Sequence, residues 1–289
     1  MLKFSHWRYP GTALLAGLLS AALPGGSFAA GLDRDGLISL KSRQIEIAWQ
    51  STLPASQIMQ YKSYHLLDGR IYAMGTDGTV AAVRADNGEV SWVRALADEG
   101  DELFAPGSYH SPQGNAVAFT RLHNVLLADP KTGATTRVLQ SGEPPAGPAA
   151  FSPDRVYLAH AGSSLSAYRL KDNYIHWRAS FVETLSMPPL YVPSLDIVVA
   201  ADDAGLVAGL RNIDRTNERT LFKLNLRSRP RGWMAAEGAM LYLSTDNQLL
   251  HAIAMGATGK EKKYGEVSWQ YRLAKPPEGG PILSEAAIY

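Results

Sequence analysis

The sequence contains no cysteine. That absence excludes disulfides, thiolate metal centres, cysteine nucleophiles and any lipid anchor attached through a thiol. Neither sign of charge is in excess: 28 Lys and Arg stand against 27 Asp and Glu, a net charge of +1. So even a balance lacks the basic footprint of a nucleic-acid binder. Nothing between residues 30 and 289 has the 3.6-residue period of a long amphipathic helix. No apolar run reaches the ~20 residues that a bilayer span requires. There is no G-x-S-x-G elbow, and Gly75-x-x-Gly78 belongs to a hairpin, not to a phosphate loop. What is present is an ordinary globular composition. The 289 residues are 46% hydrophobic and 19% charged, enough for a full core.

The N-terminus has the plan of an export signal. Lys3 and Arg8 give a positive start, Thr12–Leu23 an apolar run, and Pro24-Gly25-Gly26 a break. Ser27-Phe28-Ala29 then places small residues at the −3 and −1 positions, so cleavage is expected after Ala29. An uncleaved signal anchor is the alternative. Residues 1–29 are therefore read as a signal peptide and 30–289 as one repeat domain. The mature chain is expected to be exported, periplasmic or otherwise envelope-associated, with no stable membrane span.

The domain is organised around Gly69–Leu96. Arg70–Gly75, Val80–Arg84 and Val90–Arg94 read as three strands, with turns at Thr76-Asp77-Gly78 and Asp86-Asn87-Gly88. Asp-Gly and Asn-Gly supply the positive φ that tight hairpins need. Copies follow at Asn115–Gln140, Asp154–Phe181, Asp196–Asn225 and Gly238–Leu273. The left-handed slot of the second turn is assigned to Gly88, Gly133, Asn173, Asn217 and Gly259, at intervals of 45, 40, 44 and 42 residues. A bulky side chain follows each: Trp92, Val138, Trp177, Phe222 and Trp269, the last pushed back by an insertion, Lys260–Gly265. A short apolar strand precedes most copies: His65–Leu67, Pro148–Phe151, Pro189–Val192 and Pro281–Leu283. Four-stranded repeats of about 40–45 residues are the mark of an all-β propeller.

At the two ends, Gly280–Tyr289 reads as the first half of a unit. Gly36–Leu40 and Ile45–Gln50, with Trp49, read as the second half, joined by a glycine-free turn at Lys41–Gln44. Either the ends complete a sixth blade, or the ring is truncated from seven or eight.

The motifs resemble the PQQ-like (pyrrolo-quinoline quinone) β-propeller repeat family. The matching residues are Arg70-Ile71-Tyr72-Ala73-Met74-Gly75 with Asp77-Gly78, Asp86-Asn87-Gly88-Glu89-Val90-Ser91-Trp92, Ala128-Asp129-Pro130-Lys131-Thr132-Gly133, Arg155-Val156-Tyr157-Leu158, and Ala257-Thr258-Gly259 with Glu266-Val267-Ser268-Trp269. The resemblance implies that Trp92, Trp177 and Trp269 dock on neighbouring blades. Distantly, the entry Ala48–Leu53 is similar to BamB-type scaffolds of outer-membrane barrel assembly, which are typically eight-bladed lipoproteins. This chain lacks their lipobox cysteine. The other branch, quinoprotein dehydrogenases using PQQ with calcium, is longer and often carries a vicinal disulfide that this chain cannot form.

No residue is singled out as catalytic, cofactor-binding or metal-ligating. Asp202-Asp203 is the one adjacent carboxylate pair inside a blade and reads as a turn. Asp98–Glu102 is an acidic connector without a calcium-loop pattern. His65, His110, His123, His160, His176 and His251 lack metal-ligand spacing, and Ser163-Ser164 is a turn. Two basic stretches, Arg227-Ser228-Arg229-Pro230-Arg231 and Lys260-Glu261-Lys262-Lys263, read as exposed inter-blade loops; the first, ahead of Gly232-Trp233-Met234, is the candidate docking surface. The expected function is a non-catalytic, monomeric propeller that binds a protein partner in the cell envelope, with no cofactor. The alternatives are a PQQ- and calcium-dependent oxidoreductase or a ligand-binding sensor propeller.

Overall fold

The computed structural model describes residues 48–289 apart from 55–59, 99–100, 112–113, 214–217, 259–260, 263, 285–286 and 289. Of the first 47 residues it describes the short strands Leu2–Lys3, His6–Tyr9, Thr12–Leu14, Leu18–Ala22 and Ile45–Glu46. Leu18–Ala22 lies antiparallel to Leu2–Lys3 and parallel to Gln50–Pro54. Cleavage after Ala29 would remove that neighbour of Gln50–Pro54. Among the described residues there is no α-helix, and Pro193–Leu195 is a 3-10 turn.

Five four-stranded antiparallel sheets follow in chain order. Blade 1 is Tyr61–Leu67, Arg70–Gly75, Thr79–Arg84 and Val90–Ala95. Blade 2 is Gly107–Ser111, Gly114–Thr120, Asn124–Ala128 and Thr135–Gln140. Blade 3 is Ala150–Phe151, Arg155–His160, Ser164–Arg169 and Ile175–Ser180. Blade 4 is Leu190–Val192, Ile197–Ala201, Leu206–Arg211 and Thr220–Asn225. Blade 5 is Pro230–Glu237, Met240–Thr245, Leu249–Ala254 and Glu266–Arg272. Each connects its strands in sequence order, as the PQQ-like propeller fold requires.

Two compact units divide the chain. One is Met1–Pro106 with Ala128–Thr136; the other is Gly107–Leu127 with Arg137–Tyr289. In the first, Trp49, Leu53, Tyr61, Ile71 and Val83 form one core. In the second, cores lie between successive sheets. Leu127, Leu139, Val156 and Tyr168 pack together, as do Tyr157, Trp177, Val198 and Leu210, and Val199, Phe222, Leu241 and Ile253. The middle strands are buried on both faces, so Arg155–His160 and Ile197–Ala201 are buried throughout. They therefore read as continuous apolar runs instead of an alternation.

A shared device sets the inter-blade packing. In blades 1, 3, 4 and 5 the pairing of the third and fourth strands slips by one residue immediately before the aromatic position. The extra residue re-aims the side chain that follows it. Across from each aromatic stands a small residue: Ala82 for Trp92, Ala167 for Trp177, Gly209 for Phe222 and Ala252 for Trp269. On the far side of that small residue comes a tyrosine in three blades. Tyr72 meets Trp92 at 6.0 Å between ring centres, Tyr157 meets Trp177 at 5.9 Å, and Tyr242 meets Trp269 at 6.0 Å. The tilted rings suit the aromatic quadrupole, and only a small middle residue lets them touch.

The second-turn glycine then covers the aromatic. A Cβ on Gly88 would lie 2.4 Å from Trp49, and one on Gly133 would lie 2.6 Å from Trp92. The indoles donate to the same turns: Trp49 Nε1 to Ala85 O at 2.9 Å and Trp92 Nε1 to Pro130 O at 3.1 Å. In blade 5 the residue in this place is Gly265, with φ +70 and Phe222 2.6 Å from its Cβ position. The expected Gly259 and Asn217 lie outside the described residues, as does part of the Lys260–Lys263 stretch. Gly265 stands four residues before Trp269, the spacing of Gly88 to Trp92, so the insertion precedes the turn.

Two aromatic-slot assignments need correction. Val138 is 45% exposed, and its neighbour Leu139 enters the core instead. The Asn173 turn clasps blade 2 through Asn173 Nδ2 to Gln140 O, 3.1 Å. Trp269 is 42% exposed and Tyr271 63%, so the resemblance's docked role holds for Trp92 and Trp177 but not for Trp269. Its strand is the least buried of the fourth strands.

At the ends, Leu283 bridges to Ile288. The N-terminal half-unit expected over Gly36–Leu40 and the turn Lys41–Gln44 lie outside the described residues.

Candidate docking surface

One end of every blade is built alike. The residue leaving the fourth strand donates its backbone N–H to a carbonyl of the turn between strands two and three. The pairs are Leu96 to Gly78, Ser141 to His123, Phe181 to Ser163, Leu226 to Gly205 and Leu273 to Gln248, all 2.8–3.0 Å. Each inter-blade connector thus starts from an anchored backbone. Side chains on these loops are held by a rigid scaffold, the usual place for binding residues.

The richest such end lies at blades 4 and 5. Asp202 is fully buried and accepts from the backbone N–H of Ala204 (3.1 Å), Leu206 (2.9 Å) and Glu183 (3.4 Å). It is a turn cap. Asp203 accepts from Ser186 Oγ and pairs with Arg229 at 2.8 Å. Both carboxylates of the pair are thereby committed to protein partners. Among the described residues no group of three His, Asp or Glu is placed to hold a metal ion.

Beside Arg229, Arg231 donates to Asp246, and that bond with its charge raises the Arg231 guanidinium further above its ordinary value. The stretch expected to be a loop in fact enters the sheet. Pro230 is buried and begins the first strand of blade 5, which sequence reading missed, along with Gly107–Ser111 of blade 2. The signal was weak, because Pro230 and Met234 are the buried positions of the strand. Gly232, at φ +75 within a register shift between Arg231 and Ala235, obscures it. Trp233 is 45% exposed and donates Nε1 to Pro281 O at 3.1 Å. Gly279 and Gly280 press against it so closely that a Cβ on Gly280 would lie 2.1 Å from Trp233 O. The result is a half-exposed indole that follows closely in sequence on Arg229 and Arg231, whose ion-pair partners are Asp203 and Asp246. An exposed Val182 (77%) lies on the blade 3–4 connector. Arg and Trp are enriched among interface hot spots, Trp for its large rigid area and Arg for its directional fork of donors.

Three of the histidines make hydrogen bonds within the fold. His251 is buried, with Nε2 2.9 Å from Thr245 Oγ1 and Nδ1 3.1 Å from Gln270 Nε2. Gln270 can only donate there, so Nδ1 accepts and Nε2–H donates, and the ring is neutral. Buried His160 places Nδ1 3.2 Å from Glu143 O. Burial lowers the affinity of both rings for a proton. His65 places Nε2 3.1 Å from Ser63 Oγ and is likewise shifted down by burial. His123 sits in the turn before Asn124, His110 in the first strand of blade 2, and His176 in the bulge before Trp177. Ser163 is a left-handed turn residue and Ser164 begins a strand. Asp98 and Asp101 are joined by a backbone bond, and 99–100 lie outside the described residues.

A family model described as outer membrane protein assembly factor BamB matches residues 5–143 and again 123–286. The chain belongs to the BamB family. Among solved structures it is similar to BamB from Moraxella catarrhalis, 19% identical, with 78% of this chain and 66% of that one covered and a TM-score of 0.52. It is also similar to BBS1N in complex with ARL6DN, 9% identical, covering 73% and 66% with a TM-score of 0.56. The chain thus spans 66% of the length of either structure. At these identities the likeness is one of fold. No curated protein matches the sequence. In this BamB-family chain, as in the repeat it resembles, the aromatic slots and turn glycines account for the blades. Arg229, Arg231 and Trp233 are half-exposed groups at the start of blade 5. Among the described residues no helix is long and apolar enough to cross a membrane.

Proposed function

We propose that this chain is a non-catalytic, monomeric scaffold of the cell envelope that works in outer-membrane protein assembly. In this reading it is exported and docks a protein partner through the connector end of blades 4 and 5. The observation that carries it is the BamB family match over nearly the whole chain. The half-exposed Asp203–Arg229 and Arg231–Asp246 pairs, close in sequence to the half-exposed Trp233, support the choice of surface. Ion pairs of this exposure contribute little to folding, so they are free to be re-partnered by an incoming chain. A docking partner gains the indole face and arginine forks at a small ordering cost, since the backbone beneath is already fixed.

The test is an in-cell photo-crosslink from position 227, beside the patch, followed by mass spectrometry. Enrichment of outer-membrane assembly proteins, lost on Arg229→Glu with Arg231→Glu, is the expected result. A profile equal to that of a neutral exported control would sink the proposal.

A further inference from the structure

At the end of blade 1 away from its connector, two turns lie side by side. Asp68 and Gly69, both at positive φ, join the first strand to the second. Asp86-Asn87-Gly88 joins the third to the fourth. Ala85 donates its backbone N–H to Gly69 O at 2.9 Å and ties the two turns together. Beside them is an open cavity of about 370 Å³ lined by Gly69, Arg70, Arg84, Ala85 and Asp86. A Cβ on Gly69 would meet nothing within 4 Å. Arg70 and Arg84 are direct partners in the ladder of the second and third strands, and like charges in that register repel. Arg84 is matched by an anion: Nε donates to Asp86 Oδ1 at 3.1 Å and Nη2 to Oδ2 at 2.6 Å, with Glu89 3.8 Å from Nη1. Arg70 is half-buried, and its buried Nε has no hydrogen-bond partner among the described residues.

Blade 3 repeats the arrangement and shows what can fill it. Arg155 and Arg169 face each other in the same register. Arg169 pairs with Asp172 of its own turn at 2.7 Å, as Arg84 does with Asp86. Arg155 donates Nη1 to Asn212 Oδ1, an sp² oxygen on the residue that follows the third strand of blade 4. The corresponding residue of blade 2 is Asp129, which follows Asn124–Ala128. Its Oδ1 accepts instead from Lys131 N, Thr132 N and Thr132 Oγ1, at 2.8–3.1 Å. The place that Asn212 takes beside Arg155 is therefore open to an incoming acceptor beside Arg70. Two arginines and one aspartate give the cavity lining one net positive charge, which matches a singly charged anion better than a phosphate dianion. A carboxylate presents planar sp² oxygens to a guanidinium fork. The volume lies in the range of ~300–1,000 Å³ typical of ligand sites. That is more than a lone carboxylate fills, and it leaves room for the chain that bears one.

We infer that this end of blade 1 seats the side-chain carboxylate of an aspartate or glutamate on an incoming polypeptide. The Arg70 fork holds the carboxylate, and Arg84 stands beside it. The site is distinct from the surface around Trp233 and stands or falls independently of it.

Calorimetric titration of the full chain at low ionic strength tests it, with N-acetyl-aspartate α-amide, propionate and inorganic phosphate as probes. The capped aspartate is expected to bind saturably, at a millimolar Kd or tighter, and at least as tightly as propionate. Arg70→Gln weakens that binding about tenfold. Asp86→Asn removes the competing carboxylate from Arg84 and tightens it, a gain that a damaged fold cannot imitate. Lys223→Gln, on blade 4, leaves it unchanged. The inference is overturned by no saturable binding of the capped aspartate, or by propionate or phosphate binding more tightly than it. It is equally overturned if affinity is undiminished in an Arg70→Gln chain that circular dichroism shows to be folded, if Lys223→Gln causes the same loss, or if Asp86→Asn fails to raise affinity.

Discussion

A turn glycine in this protein does two physical jobs, and substitutions separate them. Gly238 has φ +56 with open space around its Cβ position, so Gly238→Ala is expected to cost about 1 kcal/mol of backbone strain. Gly133 adds the Trp92 ring at 2.6 Å. Gly133→Ala should therefore cost about 2–4 kcal/mol, the strain plus an overpacking cost. Urea unfolding of the two variants side by side reads the difference. The same logic splits the tryptophans. Trp92→Ala removes a docked, buried indole and should cost about 3–5 kcal/mol. Trp269→Ala, at a half-open position, should cost about 1 kcal/mol. These positions were legible in the sequence because left-handed backbone admits few residue types. Exposure was not, since the residue letter is the same whether or not a neighbour covers it.

At the level of the sheet, regularity arises from bonds that the sequence shows unevenly. Asp-Gly and Asn-Gly turns announce their hairpins, and four-residue spacing from turn to aromatic is visible once the bulge is known. First strands were harder to read. Tyr61–Leu67 and Gly107–Ser111 carry polar residues, and Pro230–Glu237 opens with a proline, an arginine and a left-handed glycine. Their pairing comes from the neighbouring strand more than from their own pattern. The Asp202 cap makes a sheet-level prediction. Asp202→Ala would remove the acceptor of part-buried N–H groups of the blade 4 turn, at about 1 kcal/mol for each lost hydrogen bond. Asp203→Ala, at a half-exposed pair, is expected to change thermal stability little. Hydrogen exchange at Ala204 and Leu206 distinguishes the two.

For the whole molecule, acid is the revealing variable. His160 and His251 are buried with proton affinities pushed below the ordinary value of 6.5. In the unfolded chain both take up a proton near 6.5, while in the fold they resist. Stability is therefore full above about pH 6.5 and declines as pH falls below it, levelling once the folded rings titrate. The slope is at most about 1.4 kcal/mol per pH unit for each ring. Urea midpoints measured between neutral and mildly acid pH should fall accordingly, and His251→Gln should flatten part of the slope. A rise in stability over that interval would contradict it. At this scale the repeat made the architecture readable from the chain alone. The docking surface was only half readable, because Arg229 and Arg231 look like a plain basic run until Asp203 and Asp246 are found beside them.

Trp269 also gives the molecule an optical signature. Its indole is 42% exposed, whereas those of Trp49, Trp92 and Trp177 are 9% exposed or less. Solvent relaxation around it should shift its emission to longer wavelength, and iodide or acrylamide should reach it readily. A single-tryptophan background with Trp269 as the emitter would thus report, in real time and without a label, whenever any other surface comes to cover the last strand of blade 5.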